Sequence, residues 1–260
     1  MLQVSREGAV VTLTMDRPEV RNALNADLVT ALRGAIADAE AADGVRCLVL
    51  TGTGKAFSAG ADLAALQALQ TASAEANLAD SDRLAGLFRA IVDSPLPVVA
   101  RVQGHAIAGG CGLAAVCDVS VVAQGAKLAF TETRIGFVPA IVAVFVRRKL
   151  GDAALRDLLL TGRLVSAGEA AGMGLVTRAV PGDALDDAVA EVVGQLAQTS
   201  PTAVALTKRL LADVHGMGLA EGLSAAVRLN ALARATDDCR AGVAAFLGKT
   251  DPPWQPGDEA

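Results

Sequence analysis

Three short segments of this 260-residue chain combine residue types that can do chemistry. Asp16-Arg17-Pro18-Glu19-Val20-Arg21-Asn22-Ala23-Leu24 is a charged loop. Gly54-Lys55-Ala56-Phe57-Ser58-Ala59-Gly60-Ala61-Asp62-Leu63 and Gly104-His105-Ala106-Ile107-Ala108-Gly109-Gly110-Cys111-Gly112-Leu113 are made almost wholly of small residues, and each opens into a helix. Taken singly, each has an ordinary reading as a tight strand-to-helix connection or a solvated face. Together they bring peptide N–H groups to one place with almost no side chains in the way, one set of them at a helix N-terminus. That combination suits a hole for a developing oxyanion, where fixed donors must approach closely and bulk would block a substrate.

Other chemistries fit these residues less well. Gly52-Thr53-Gly54-Lys55-Ala56 resembles half a phosphate-binding loop, but Val49 stands where the first glycine is needed and Ala56 where a hydroxyl is needed. No GxGxxG opens a strand–helix–strand unit, which disfavours a dinucleotide fold. Ala56-Phe57-Ser58-Ala59-Gly60 is a nucleophile elbow without its first glycine, and His105 and His215 are the only histidines available to activate Ser58. The same scarcity leaves a His/Cys zinc site almost without ligands, so no metal is expected. Cys111 reads as a small packed hydrophobe more readily than as a reactive thiol.

The elements that must position these loops alternate along the first half of the chain. Val10–Met15, Cys47–Thr51, Val98–Val102, Val119–Ala123 and Lys127–Phe130 read as strands, mostly apolar and therefore covered on both faces. Asn25 caps a helix whose Leu28, Leu32, Ile36 and Ala39 recur at one-turn spacing. Ser81–Val92 is a second helix, stopped by Asp93-Ser94-Pro95, and the Ala/Gln/Ser-rich stretch Leu63–Ala79 before it reads as a mobile lid. Beyond Gly136 the pattern turns helical. One late strand covers Leu175–Val180, and helices follow over 184–197, from Ser200-Pro201 toward His215, over 219–235 and over 237–247. These elements divide into a core over 1–195 and a helical region over 196–260, with the proline-containing tail Asp251–Ala260 outside the core.

Composition narrows the partners. A net charge of −5 argues against a nucleic-acid binder, so an anionic ligand would be met by a few local Lys or Arg groups. Four sparse cysteines make no disulfide scaffold, and neither a signal-peptide core nor a membrane-spanning run is evident, so a cytoplasmic protein is the default expectation.

Arg17-Pro18-Glu19-Val20-Arg21-Asn22-Ala23-Leu24, Lys55–Asp62 and Ala108–Leu113, in this order and spacing, resemble the crotonase (enoyl-CoA hydratase/isomerase) superfamily. The resemblance continues through Leu160-Thr161-Gly162-Arg163 and Gly174-Leu175-Val176 to Gly242–Lys249, nearly the whole chain. It implies an α/β fold, a crotonase-type spiral of ββα units followed by a C-terminal helical trimerisation region. It also implies an acyl-CoA substrate, with coenzyme A entering as part of that substrate and no separate cofactor, and a homotrimer or dimer of trimers. By position it assigns the N–H groups of Ala61 and Gly109 to the thioester oxygen. Arg21 falls near the coenzyme A phosphates, Ala23, Ala59 and Asp62 beside the same ligand, and Phe246 and Lys249 at places that reach it across a subunit contact. For those last two residues, a packed aromatic and a solvated lysine are equally good readings.

Family hydratases carry two glutamates. By resemblance one is Glu132, which follows a buried strand where desolvation would raise its pKa. The other falls on Gly112, which has no side chain. Hydration of a 2-enoyl-CoA is the leading expectation from the whole-chain resemblance. A lone carboxylate also suits moving a double bond from the 3- to the 2-position, and the missing carboxylate at Gly112 allows a non-catalytic acyl-CoA binding subunit. Ile141 and Val142, bulkier than the glycines family hydratases tend to have there, are expected to reshape the acyl pocket.

Overall fold

The apolar runs become strands because neighbours cover both of their faces. The computed structural model describes residues 1–255, and the last five residues of the tail lie outside that description. The chain starts with β1 (Leu2–Glu7) and β2 (Val10–Met15), paired antiparallel, and then α1 (Ala26–Ala41). Three successive pairs of strands follow: β3 (Cys47–Gly52) with β4 (Ala56–Ser58), β5 (Val98–Val102) with β6 (His105–Ile107), and β7 (Val119–Ala123) with β8 (Lys127–Ala129). The first strand of each pair joins a six-stranded sheet and the second a four-stranded one. Helices α2 (Leu63–Leu69) and α3 (Ala74–Asp93) separate the first two pairs, and α4 (Gly109–Val116) separates the second and third. Each turn of the chain therefore adds one parallel strand to each sheet, which is a ββα spiral.

After β8 come α5 (Ala140–Val146), α6 (Asp152–Thr161), β9 (Val165–Ser166), α7 (Ala167–Gly172) and β10 (Arg178–Val180). α8 (Leu185–Ala197), α9 (Pro201–Val214), α10 (Leu219–Ala233) and α11 (Asp237–Gly248) complete the C-terminal helical region. Alternate residues of the large sheet face different cores. Leu48, Leu50, Val98, Ala100 and Val122 pack toward α1, α3 and α4, while Cys47, Val49, Val99 and Val121 pack under Leu185, Val189 and Val192 of α8. No helix among the described residues is long and apolar enough to cross a membrane.

Four expectations need correction. The second helix begins at Ala74 rather than Ser81, and the stretch Leu63–Ala79 read as a mobile lid is mostly helical: Asp62 accepts from the amides of Ala64 and Ala65 to start α2, and Ser73 accepts from Ala76 to start α3. Alanine and leucine favour helix strongly once each start is capped. The late strand shrinks to β10 because the Thr177 hydroxyl, not a backbone carbonyl, takes the Ser120 N–H. The tail is not wholly outside the core, since the Trp254 ring lies against Gly242 of α11 and its carbonyl accepts from Arg46.

One ion pair fastens the helical region to the core. Lys208 of α9, 9 % exposed, donates to Asp118 Oδ2 at 2.7 Å and to the Leu96 carbonyl at 2.9 Å, while Asp118 Oδ2 also takes the Val98 N–H. Removing one partner of such a pair strands the other. Lys208→Met is expected to lower unfolding free energy by about 2–4 kcal/mol in urea titrations, moderated because Asp118 reaches solvent.

Candidate active site

Two connections of the spiral meet edge to edge. The segment after β4 is laced to the loop before α1: Ala59 N donates to Arg21 O, Leu24 N to Gly60 O, and Asp62 N to Leu24 O. Gly60 N donates to Ser58 Oγ, and Ser58 Oγ donates to Asn22 O. Every amide from Ala59 to Asp62 is thereby occupied except that of Ala61, which faces away from its Leu24 bridge partner. Ser58 is fully engaged and buried, with no histidine beside it, so it is a structural hydroxyl.

The second connection, after β6, turns at Ala108, whose φ of 51° and ψ of −126° are unusual for a residue with a Cβ. Such a conformation costs roughly 1–3 kcal/mol and is held only by its surroundings. Here the Ala108 N–H donates to Ala129 O at 2.7 Å, and its carbonyl accepts from Gly112 N. The turn leaves the amide of Gly109, first residue of α4, without an acceptor among the described residues. Gly60, at φ 86°, lets the loops close: a Cβ there would lie 2.8 Å from the Ala108 Cβ and 3.0 Å from Gly109 N. The Cβ position of Gly109 is in turn 4.0 Å from Ala61 N. Two free amides thus sit side by side.

Both line a cavity of about 520 Å³ that also receives Glu132. This carboxyl sits in a short 3-10 turn, Glu132–Ile135, anchored by the fully buried Phe130 before it. It is 8 % exposed, and its Oε2 is buried with no hydrogen-bond partner. Desolvation pushes its pKa up, only partly opposed by its own backbone N–H. Arg134, the obvious surface partner, donates instead to Thr161 O. Neighbouring Cys111 is fully buried, and burial followed by the Glu132 charge raises its pKa, so it is a packed side chain and not a thiolate.

The other residues singled out in the sequence are distributed unevenly. Ala23, Ala59 and Asp62 line the cavity. Although partial burial opposes it, Arg17 and the two amides at the start of α2 hold the Asp62 carboxyl below its usual range. Both its oxygens are engaged, one by Arg17 at 3.0 Å and the other by Ala64 and Ala65. Arg21 is exposed just outside the cavity lining, beside Val20 and Ala23, which belong to it. Phe246, 84 % exposed, and Lys249 lie at the end of α11, and nothing within the chain brings them to the cavity. Among the described residues no cluster of three or more His, Cys, Asp or Glu forms a metal site.

Packing, which the residue order does not reveal, explains why Gly112 has no side chain. A Cβ there would lie 2.4 Å from Val142 Cγ1 and 3.1 Å from the Phe88 ring, so α5 fills the space beside Glu132. Asn22 was also overlooked as a positioning group. Fully buried at φ 55°, it donates to Thr53 O and Ala56 O and accepts from Arg17 N, tying its own loop to the connection between β3 and β4. Its place directly after a charged run and before a small-residue pair is the only hint the sequence offers.

Free paired amides beside a desolvated carboxyl can polarise a carbonyl while one group moves a proton. The two-sheet spiral that carries them is that of the crotonase superfamily. Within it the chain belongs to the enoyl-CoA hydratase/isomerase family, whose model matches residues 5–257. A Thermus thermophilus protein provisionally named an enoyl-CoA hydratase is 47% identical, over 97% of this chain and 99% of that relative. The 2,3-dehydroadipyl-CoA hydratase of Escherichia coli is 31% identical over 98% of both chains. Among solved structures, Pseudomonas aeruginosa AtuE superposes with a TM-score of 0.93 at 34% identity, covering 98% of this chain and 99% of that one. An enoyl-CoA hydratase of Mycobacterium smegmatis gives 0.91 at 34% identity, with 97% and 98% covered.

The contact between Gly112 and Val142 is open to a direct test. Gly112→Ala is expected to cost about 1–3 kcal/mol from overpacking. In a Val142→Ala background that cost should fall below about 1 kcal/mol, a coupling read from a double-mutant cycle in urea.

Proposed function

We propose that this protein hydrates 2-enoyl-CoA thioesters through an enolate. The observation that carries the reading is the pair of unoccupied amides, Ala61 and Gly109, on the cavity that holds the unpartnered Glu132 oxygen. The thioester carbonyl accepts from both amides. Ionised Glu132 takes a proton from water as the water oxygen bonds to C3, and the C2–C3 π electrons move onto the thioester oxygen as an enolate. Protonated Glu132 then delivers that proton to C2, and the carbonyl re-forms. Backbone donors cannot titrate, so charge is met by the amides and protons move only through the carboxyl. The whole-chain matches to proteins named hydratases support this choice of reaction.

A second reading is favoured by one observation. Val142 against Gly112 leaves Glu132 as the cavity's only carboxyl not already engaged, which suits taking a proton from C2 of a 3-enoyl-CoA and returning it at C4. Incubation with short 2-enoyl- and 3-enoyl-CoA separates the readings: conjugated-thioester absorbance falls on hydration and rises on isomerisation. No change with either, despite tight binding, indicates a binding subunit.

In the same reading coenzyme A enters past Arg21, Ala23, Ala59 and Asp62, and a second copy of the chain supplies Phe246 and Lys249. The assembly is a trimer or dimer of trimers, and the exposed Leu219, Phe246 and Leu247 of α10 and α11 supply apolar surface for it.

Glu132→Gln is expected to lower kcat at least about 100-fold in steady-state assays, and the wild-type rate to fall as pH drops through the raised Glu132 pKa. Stability should move the other way. A carboxyl whose pKa is higher folded than unfolded stabilises the fold fully below its unfolded value, and this is lost as pH rises through the folded one. Thermal melts should therefore show Glu132→Gln above wild type at about pH 8, with the gap closing near about pH 4.

A further inference from the structure

The cavity runs past Glu132 between α2, α3 and α5, and the character of its walls there bears on the acyl group. Leu66, Leu84, Ile135, Phe137, Ile141 and Val142 line it. Among the described residues, the only uncharged polar side chains on the whole lining are those of Ser81 and Thr131. Among them, too, no Lys, Arg or His lines it, and the two carboxylates are Glu132 and Asp62, the latter already bound to Arg17 and two amides. The nearest cation on α3, Arg83, is engaged by Asp80 one turn away, and neither belongs to this lining.

An acyl group that ended in a carboxylate would meet no donor of opposite charge here, and it would stand near Glu132, whose charge repels it. A quaternary ammonium would find only Glu132, the group that must stay free to move a proton. Burying either charge unpaired is costly, whereas each methylene set against these walls is favourable. We infer that the acyl group is an uncharged hydrocarbon chain, and that Leu84 and Ile141 flank its far end. This inference deepens the acyl-CoA reading and rests on it.

Binding of saturated thioesters by the wild-type protein tests the inference without any chemical step. Isothermal titration with butanoyl-, hexanoyl- and adipoyl-CoA compares chain length and a terminal carboxylate on a matched six-carbon chain. Each added methylene is worth about a fourfold gain, so hexanoyl-CoA should bind about 16-fold tighter than butanoyl-CoA. Adipoyl-CoA should bind on the order of 100-fold more weakly than hexanoyl-CoA. Adipoyl-CoA within about tenfold of hexanoyl-CoA, or no gain from butanoyl to hexanoyl, overturns the inference.

Leu84→Lys places a cation at the proposed far end and should raise adipoyl affinity relative to hexanoyl by about tenfold or more. Ser81→Lys, at an exposed position on the same wall, serves if the first variant fails to fold. An unchanged ratio in a folded variant rules out the placement. A protein that binds in the expected order but turns over no enoyl-CoA loses the proposed reaction and keeps the acyl class. One that binds no acyl-CoA loses both.

Discussion

The approach of the connection after β4 to the connection after β6 is the constraint on which the rest of this structure turns. Two loops whose backbones nearly touch cannot both carry side chains, and they cannot both satisfy their amides internally without closing the space between them. The chain meets this by spending almost every donor of Ala59–Asp62 on the loop before α1. It leaves undonated only the amide that faces the neighbouring loop. On the other side, the positive φ of Ala108 turns the chain so that α4 begins with its first N–H at the same place. The strain at Ala108 is tolerated because its own N–H and carbonyl are both hydrogen-bonded.

Everything outside that contact makes it rigid. The four-stranded sheet fixes the ends of β4 and β6 by parallel pairing, and Asn22 ties the loop before α1 to the β3–β4 connection. Arg17 joins the start of α2 to the same loop through Asp62 and the Ala23 carbonyl. The helical region is anchored at a distance by Lys208, one of the few buried charges in the molecule, through its pairing with Asp118. Polar groups placed this way are stabilising only when fully paired, and nearly all of them are. Glu132 Oε2 is the exception among buried side-chain atoms of the described residues.

That exception has chemical content. A carboxyl without a partner, in an apolar wall and beside two free amides, holds its proton more tightly than an exposed one. Val142, which fills the space at Gly112, lines the same cavity as Glu132, so the packing there leaves no room for a second side chain at that position. The proposed proton transfer through one group and the inferred uncharged acyl chain both rest on that apolar surface.

Much of this molecule was legible in its residues. Strand runs covered on both faces, the Asn25 and Ser200 caps, and the small-residue loops all depend on local pattern, and local pattern survives folding. The order and spacing of Arg17–Leu24, Lys55–Asp62 and Ala108–Leu113 carried the family resemblance, and the small residues of Ala59–Ala61 and Ala108–Gly112 are those that let two backbones meet. What the chain could not disclose were relations between residues far apart in sequence: Val142 against Gly112, Asn22 bridging two connections, the Trp254 ring on Gly242, and a cavity lining without Lys, Arg or His among the described residues. Volume and electrostatic neighbourhood are properties of space. They exist only once the spiral has brought helices and loops from different turns into contact.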